Sequence, residues 1–298
     1  MFIIKNKFTF IGISVAVVLA ALVSLAVFGL RFGIDFKGGT ALEVEYTATR
    51  PESTVLAGIF SENSLADAVV QTKGDLGLSI KSHPLTDDQR LALVEDLSVD
   101  GKHPLVQKSF SSIGPAVGRE LTQKTIVAIV LVFMAIVAYI AFAFRGVSKP
   151  VASWKYGVVA IVSLLHDIII PTGLFAVLGY VSGAEVDTLF VVALLTVLGV
   201  SVSDTIVVFD RIRENLRLKD GSSFAQTVGK SLSQTVTRSI NTSVTTILVL
   251  SALFFFGPSS TKNFALVLIV GMAVGTYSSI FLASPLLVII AGKGKEKA

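Results

Sequence analysis

The chain has 298 residues, of which 52% are apolar and only 15% are charged, and its formal net charge is +4. Ordinary soluble domains carry about 25% charged residues, so this composition excludes a disordered chain, a coiled coil and most soluble enzymes and favours an integral membrane protein. The chain contains no cysteine and only three scattered histidines, so we expect no disulfide and no metal site.

The first predicted element is an apolar run, Phe8–Leu30, that contains no charged residue. As a helix it would be roughly 35 Å long, enough to cross a bilayer core of about 30 Å. Lys5 and Lys7 precede it, as in a secretory signal. The run is too long for a signal core of about 7–15 residues, so we predict an uncleaved anchor with a cytoplasmic N-terminus.

Residues 31–124 have a different character, with 10 of the 25 Lys and Arg residues and 13 of the 21 Asp and Glu residues. This segment is predicted to be a small α+β domain. Its predicted strands are Thr40–Tyr46, which alternates apolar and polar residues, and Leu105–Ser111. Its predicted helices are Leu65–Gln71 and Thr86–Leu97, the second opening with a capping box. No regular element is assigned to Ser53–Asn63.

Five further apolar stretches bring the predicted total to six transmembrane helices: Thr125–Phe144, Tyr156–Val177, Thr188–Phe209, Ile240–Phe256 and Phe264–Ala291. With the N-terminus inside, the inner segments hold 14 Lys and Arg residues and the short outer loops hold one, Lys262. The excess of positive charge on one side predicts cytoplasmic termini and an extracytoplasmic domain, and it explains the net charge without nucleic acid. The predicted divisions are 1–30, 31–124, 125–291 and a basic tail at 292–298.

Ionisable side chains inside predicted spans are candidate functional residues, because each costs about 2.5–3.5 kcal/mol to insert. Asp167 lies near mid-membrane, with His166 before it and the helix-breaking Pro171 four residues on. Asp204 lies about 10 Å from the cytoplasmic edge and shares a helical face with Ser201 and Thr205.

Two further polar features lie near Asp204 in the sequence: Asp210, and a stripe of polar residues on the fifth span. Asp210 is flanked by Arg211 and Arg213, so salt bridges at the membrane edge account for it. Arg238 lies in a polar stripe on the fifth span, which is expected to face protein or water. The stripe comprises Ser231, Thr235, Arg238, Thr242 and Thr245, with Gln234 and Asn241 beside it.

Small residues recur every four positions on the last span, at Gly271, Gly275, Ser279 and Ala283. Such a ridge permits close helix contact.

Five sequence blocks, in the same order and over essentially the whole chain, resemble the SecF branch of the SecD/SecF family, in the resistance-nodulation-division superfamily. They are Gly33–Thr40, Ser112–Gly118, His166-Asp167, Ser203–Asn215 and Arg238–Ser243.

The resemblance implies an accessory subunit of the Sec translocase in the bacterial plasma membrane. Members pair with a SecD homologue beside the SecYEG channel, and often YajC, and use the proton-motive force in the late export of unfolded polypeptides. It also implies a ferredoxin-like external domain between the first and second spans. It places Asp204, Arg238 and Asp167 on a proton pathway; His166, Ser201, Thr205, Asn241 and Thr242 are candidate supporting residues.

Two other classes stay open at this stage. A small-molecule exporter of the same superfamily would usually have twelve spans and two larger external domains. An intramembrane aspartyl protease would also pair two acids, but it should carry Gly-x-Gly-Asp, where this chain has Val-Ser-Asp at Asp204. The chain has no phosphate-binding loop, and we expect neither a cofactor nor an enzymatic activity. Carboxylate and hydroxyl groups suit both H⁺ and Na⁺ as the coupling ion.

Overall fold

The computed structural model describes residues 2–144, 151–218 and 222–292. The chain divides into two compact units: Met1–Arg31 with Val127–Ala298, and Phe32–Ile126. Several basic residues behind the predicted orientation, including Arg145, Lys149 and Lys219, lie outside the described residues, as do residues 293–298 of the predicted tail.

Six helical segments of the described chain are long and apolar enough to cross a membrane. After the short α1 (Phe2–Lys5) they begin with α2 (Lys7–Phe28), and the short α3 (Ile34–Lys37) and the small domain follow. The others are α6 (Pro115–Ala143), α7 (Ser153–Ser182), α8 (Thr188–Arg217), α9 (Phe224–Phe256) and a last segment made of α10 (Ser259–Tyr277), a π-helix (Ser278–Ala283) and α11 (Ser284–Gly292).

Each predicted span coincides with one of these segments, although the first runs two residues past the end of α2 and the second runs one residue past the end of α6. Helices α6 and α9 begin well before the predicted apolar stretches. Pro115 occupies the first position of α6, where its missing N–H costs nothing. Ser223 and Gln226 form a capping box at the start of α9, which extends the helix through polar sequence.

Contacts between the helices define their relative directions. Gly173 and Gly179 of α7 approach Ala21 and Arg31, respectively, so α2 and α7 run in parallel. Helices α7 and α8 are antiparallel: the rings of Phe175 and Phe190 are 4.6 Å apart, and those of Tyr156 and Phe209 are 5.4 Å apart.

The smaller unit contains a four-stranded antiparallel sheet in the order β2-β3-β1-β4. The strands are β1 (Gly39–Tyr46), β2 (Val69–Lys73), β3 (Gly77–Ser82) and β4 (Leu105–Ile113). Helix α4 (Ser53–Glu62) follows β1 and helix α5 (Asp87–Leu97) follows β3, which gives the order βαββαβ. Alternate β1 residues, Leu42, Val44 and Tyr46, enter a core with Phe60 of α4 and Leu93 of α5.

The predicted strands β1 and β4 and the helix after Thr86 are confirmed. The Thr86 hydroxyl accepts a hydrogen bond from the Gln89 N–H (3.3 Å), and the Gln89 side chain accepts one from the Thr86 N–H (2.9 Å). The predicted helix Leu65–Gln71 is wrong, since its second half belongs to β2. Ser64, with φ of 58°, follows the end of α4, and the β-branched Val69 and Val70 then pair with β3. The unassigned stretch from Ser53 forms α4.

Candidate ion-relay site in the helix bundle

Asp167 of α7 is fully buried, and three side chains surround its carboxylate. The hydroxyls of Ser201, from α8, and of Ser278, from the π-helix, both donate to Oδ2, the second over 2.8 Å. The His166 Nδ1 lies 2.9 Å from Oδ1. The His166 ring stacks on Tyr277 with the centroids 6.2 Å apart. Sequence spacing grouped Ser201 with Asp204, but the structure uses it to hold Asp167.

Asp204 of α8 is half-buried and accepts hydrogen bonds from two other serines. The Ser239 hydroxyl of α9 donates to Oδ1, and the Ser279 hydroxyl of the π-helix donates to Oδ2. Asp204 lines a cavity of about 270 Å³ between α8, α9 and α10, which Arg238 and Thr242 also line. This carboxylate therefore has both protein partners and a space beside it.

The π-helix joins the two acidic sites through consecutive residues, since Ser278 bonds to Asp167 and Ser279 bonds to Asp204. π-Helical turns are rare, occur mostly as single turns inside α-helices and are frequent at functional sites. The Ser284 hydroxyl donates to the Ser279 carbonyl (3.2 Å), a five-residue step across this segment. The four-residue spacing of small residues places Ser279 only on a packing ridge, and no sequence pattern singles out Ser278 or Ser239. Two adjacent serines, Ser278 and Ser279, within an apolar span are the sequence feature that could have indicated hydrogen bonds to the acids.

Arg238 does not ion-pair with Asp204. Among the described residues, no side chain forms a hydrogen bond or ion pair with its guanidinium, and Arg238 is exposed on α9. It lines the same cavity as Asp204 and a second one with Asp210 and Glu214. A permanent cation therefore lines the same cavity as the carboxylate and can act on it through space.

The polar stripe predicted on α9 separates into two faces. Ser231, Thr235, Ser239 and Ser243 are buried at four-residue steps, and Ser243 bonds to Thr276 of α10. The exposed face carries Arg238, Asn241, Thr242 and Thr245. The predicted supporting residues Asn241 and Thr242 thus share the exposed face, and Thr242 also lines the cavity beside Asp204. Thr205 is buried on α8, and its hydroxyl has no hydrogen-bond partner among the described residues.

Among the residues that the structure describes, Asp210 forms no salt bridge with Arg211 or Arg213, contrary to the expectation. Arg211 instead bonds to Glu214 (2.5 Å) and to Gln234 of α9 (2.7 Å). Glu214 is one turn further along the same helix face, which makes it a better neighbour than the adjacent Asp210. These contacts, with Asn215 bonded to Ser231 (2.8 Å), fix α8 against the start of α9.

The small-residue ridge packs against α8. A Cβ added at Gly271 would lie 2.2 Å from a Val197 methyl, and one added at Gly275 would lie 3.1 Å from Ser201 Cβ. Glycine at both positions brings the two backbones close enough for Ser279 to reach Asp204.

Two of the glycine-containing sequence blocks meet within the smaller unit. Gly38 has φ of 76°, and a Cβ there would lie 3.0 Å from the Cα of Pro115, at the start of α6. A Cβ added at Gly118 would lie 2.9 Å from the Gly38 nitrogen. The backbone after α3 and the first turn of α6 therefore form a tight joint that requires glycine on both sides.

The fold and the buried carboxylates define a multi-pass membrane protein, and comparison with known families identifies its class. The C-terminal model of the SecD/SecF protein export membrane proteins matches residues 94–293. The SecD/SecF GG motif matches residues 23–49, which include Gly38 and Gly39. The chain belongs to the SecD/SecF family.

Full-length relatives extend the match. The protein translocase subunit SecF of Thermobaculum terrenum is 42% identical over 96% of this chain and 92% of its own length. SecDF of Thermus thermophilus is 34% identical over 100% of this chain and 40% of its own length. The crystal structure of that translocon-associated protein superposes with a TM-score of 0.82 over 98% of this chain and 38% of the other. This chain is therefore related to Sec translocase subunits and acts in protein transport, and the fused relative supports a SecD partner.

Proposed function

We propose that the protein uses the proton-motive force, together with a SecD homologue, to promote the late export of unfolded polypeptides through the SecYEG channel, with YajC as a further partner. The observation that carries the proposal is the pair of acidic sites, Asp167 and Asp204, each held by hydroxyl groups from two other helices. A carboxylate inside a membrane is costly, which makes each of these acids a functional candidate.

The mechanism follows from hydrogen-bond chemistry at Asp204. An ionised carboxylate accepts bonds from both Ser239 and Ser279, whereas a protonated one must itself donate through one oxygen. Protonation of Asp204 therefore changes the hydrogen bonds that it can form with Ser239 and Ser279, and this change acts on the contact of α8 with α9 and with the π-helix. A charge that crosses the membrane potential releases about 2.3 kcal/mol per 100 mV, which can drive this repacking.

The same proposal includes an orientation and a domain assignment. We place both termini in the cytoplasm of a bacterial cell and residues 31–124 outside it, where this domain would act on the emerging polypeptide. The βαββαβ order with the sheet order β2-β3-β1-β4 supports a ferredoxin-like fold for the domain. Residues 125–291 would then form the transmembrane domain, and the glycine joint at Gly38 and Gly118 would link domain movement to α6.

The test is Asp204→Asn in inverted vesicles that contain the translocase. Asparagine keeps the size of the side chain and cannot ionise, so proton-driven late translocation should be lost, while the ATP-driven stage and copurification with the SecD homologue persist. The matched control is Asp210→Asn, because Asp210 is exposed on the same helix and should be dispensable. Full proton-driven translocation by Asp204→Asn would refute the relay.

Replacing the proton gradient with a sodium gradient in the same vesicles distinguishes the coupling ion. Copurification of the SecD homologue distinguishes a translocase subunit from a small-molecule exporter, for which deletion would instead cause a toxic compound to accumulate.

A further inference from the structure

Four buried side-chain oxygens have no hydrogen-bond partner among the described residues: those of Ser14, Tyr156, Ser163 and Thr205. A buried polar group left unpaired costs about 1–3 kcal/mol, so folded proteins satisfy nearly all of them through protein or ordered water. Three of the four, Tyr156, Ser163 and Thr205, lie on α7 and α8, the helices that meet at Asp167.

The antiparallel packing of α7 and α8 places Ser163 and Thr205 at the same level. Ser201 of α8 bonds to Asp167 of α7, so one helical turn from this contact brings α7 to Ser163 and α8 to Thr205. Both are about 6 Å along the helix axis from the carboxylate, on its side towards the start of α7. Ser163 is 1% exposed and Thr205 is 1% exposed, so bulk solvent does not reach either hydroxyl.

The third unpaired hydroxyl, that of Tyr156, lies further towards the end of the bundle where α7 begins. Tyr156 lies seven residues before Ser163, about 10 Å further along α7, and its ring packs on Phe209 of α8. Its hydroxyl lies within electrostatic reach of Arg213, in the last part of α8. The three unpaired hydroxyls therefore lie at two depths between Asp167 and the end of the bundle where α7 begins and α8 ends, with Ser163 and Thr205 at the first and Tyr156 at the second.

The apolar surroundings make these hydroxyls conspicuous, since Val159, Ala160 and Leu164 of α7 and Val208 of α8 belong to the core. A buried water is stable where it finds two to four polar partners. Ser163, Thr205 and the carboxylate of Asp167 supply such partners within two helical turns.

We propose that water molecules bridging Asp167, Ser163, Thr205 and Tyr156 form a narrow buried path from Asp167 to the end of the bundle where α7 begins. This path is separate from the cavity beside Asp204 and Arg238. The path would serve as a second branch for protons, with Ser278 and Ser279 linking the two acids, and this role rests on the proposed function. The existence of a hydrated path does not depend on the proposed function.

The natural chain has no cysteine, so single-cysteine variants test this path directly. Ser163→Cys and Thr205→Cys change little in size, and each thiol reacts as a thiolate only where water reaches it. Ala193→Cys is the matched control, because Ala193 is a small, fully buried residue of α8 on the other side of Ser201. The probe is Ag⁺, added to intact membrane vesicles of either orientation.

We expect Ag⁺ to modify positions 163 and 205 at least about tenfold faster than position 193, and faster from the side where α7 begins. Rates at 163 and 205 as slow as at 193 would overturn the path, as would equally fast rates at all three positions. Either result leaves the Asp204→Asn test of proton coupling unaffected. Conversely, a proton-independent translocase with reactive positions 163 and 205 would refute the proposed function and retain the hydrated path.

Discussion

The contact between α2 and α7 gives the sharpest structural prediction. At Gly173 an added Cβ would lie 2.5 Å from the Ala21 Cβ, 2.6 Å from its Cα and 2.7 Å from its carbonyl oxygen. Carbon atoms pack best at about 3.5–4.0 Å, so Gly173→Ala must push the helices apart by about 1 Å. None of these three atoms can rotate away.

Overpacking of this kind costs about 3 kcal/mol at the upper end of its usual range, and the helix preference of alanine over glycine returns about 1 kcal/mol. The net loss of about 2 kcal/mol should lower the melting temperature of the detergent-solubilised protein by about 4–8 °C. The melting temperature is measured by heating samples to a series of temperatures and quantifying the remaining folded protein by size-exclusion chromatography.

The control is Gly12→Ala, in α2, where an added Cβ meets nothing within 4 Å. Its melting temperature should be unchanged or slightly higher. If Gly173→Ala melts no lower than Gly12→Ala, the close helix contact is incorrect.

Two further predictions concern the smaller unit. Thr86→Ala removes the capping box of α5 and should lower the free energy of unfolding of this unit by about 1 kcal/mol, measured by urea denaturation; an unchanged midpoint would contradict the cap. Burial raises the pKa of Tyr46 from 10.0 to about 12, against the opposing charge of Arg50, and its hydroxyl donates to the Leu97 carbonyl (3.3 Å). Because the folded pKa is the higher one, the stabilisation is complete below pH 10 and disappears as the pH rises towards 12. Tyr46→Phe should abolish this pH dependence of the free energy of unfolding, measured by denaturant titrations at several pH values. If the variant and the unmodified protein show the same pH dependence, Tyr46 is not its cause.

The sequence by itself determined the number and order of the membrane helices, since an uncharged run of about 20 residues has few alternatives to spanning a bilayer. It also made Asp167 and Asp204 candidate functional residues, because an ionisable group at membrane depth stands out against apolar neighbours. The capping box at Thr86 was equally readable, since it depends only on residues three positions apart. Short elements were harder, as Leu65–Gln71 shows: pairing with β3 decided that segment, and pairing is not local.

Only the tertiary structure decided which residues hold each acid. Periodicity along α8 assigned Ser201 to Asp204, yet Ser201 lies at the α7 contact and bonds to Asp167. The π-helix, which directs Ser278 and Ser279 to different acids, packs against α7 and α8, and sequence spacing along one helix does not report that packing. Helical spacing describes one helix at a time, whereas a hydroxyl donates to whichever carboxylate the neighbouring helix brings within reach.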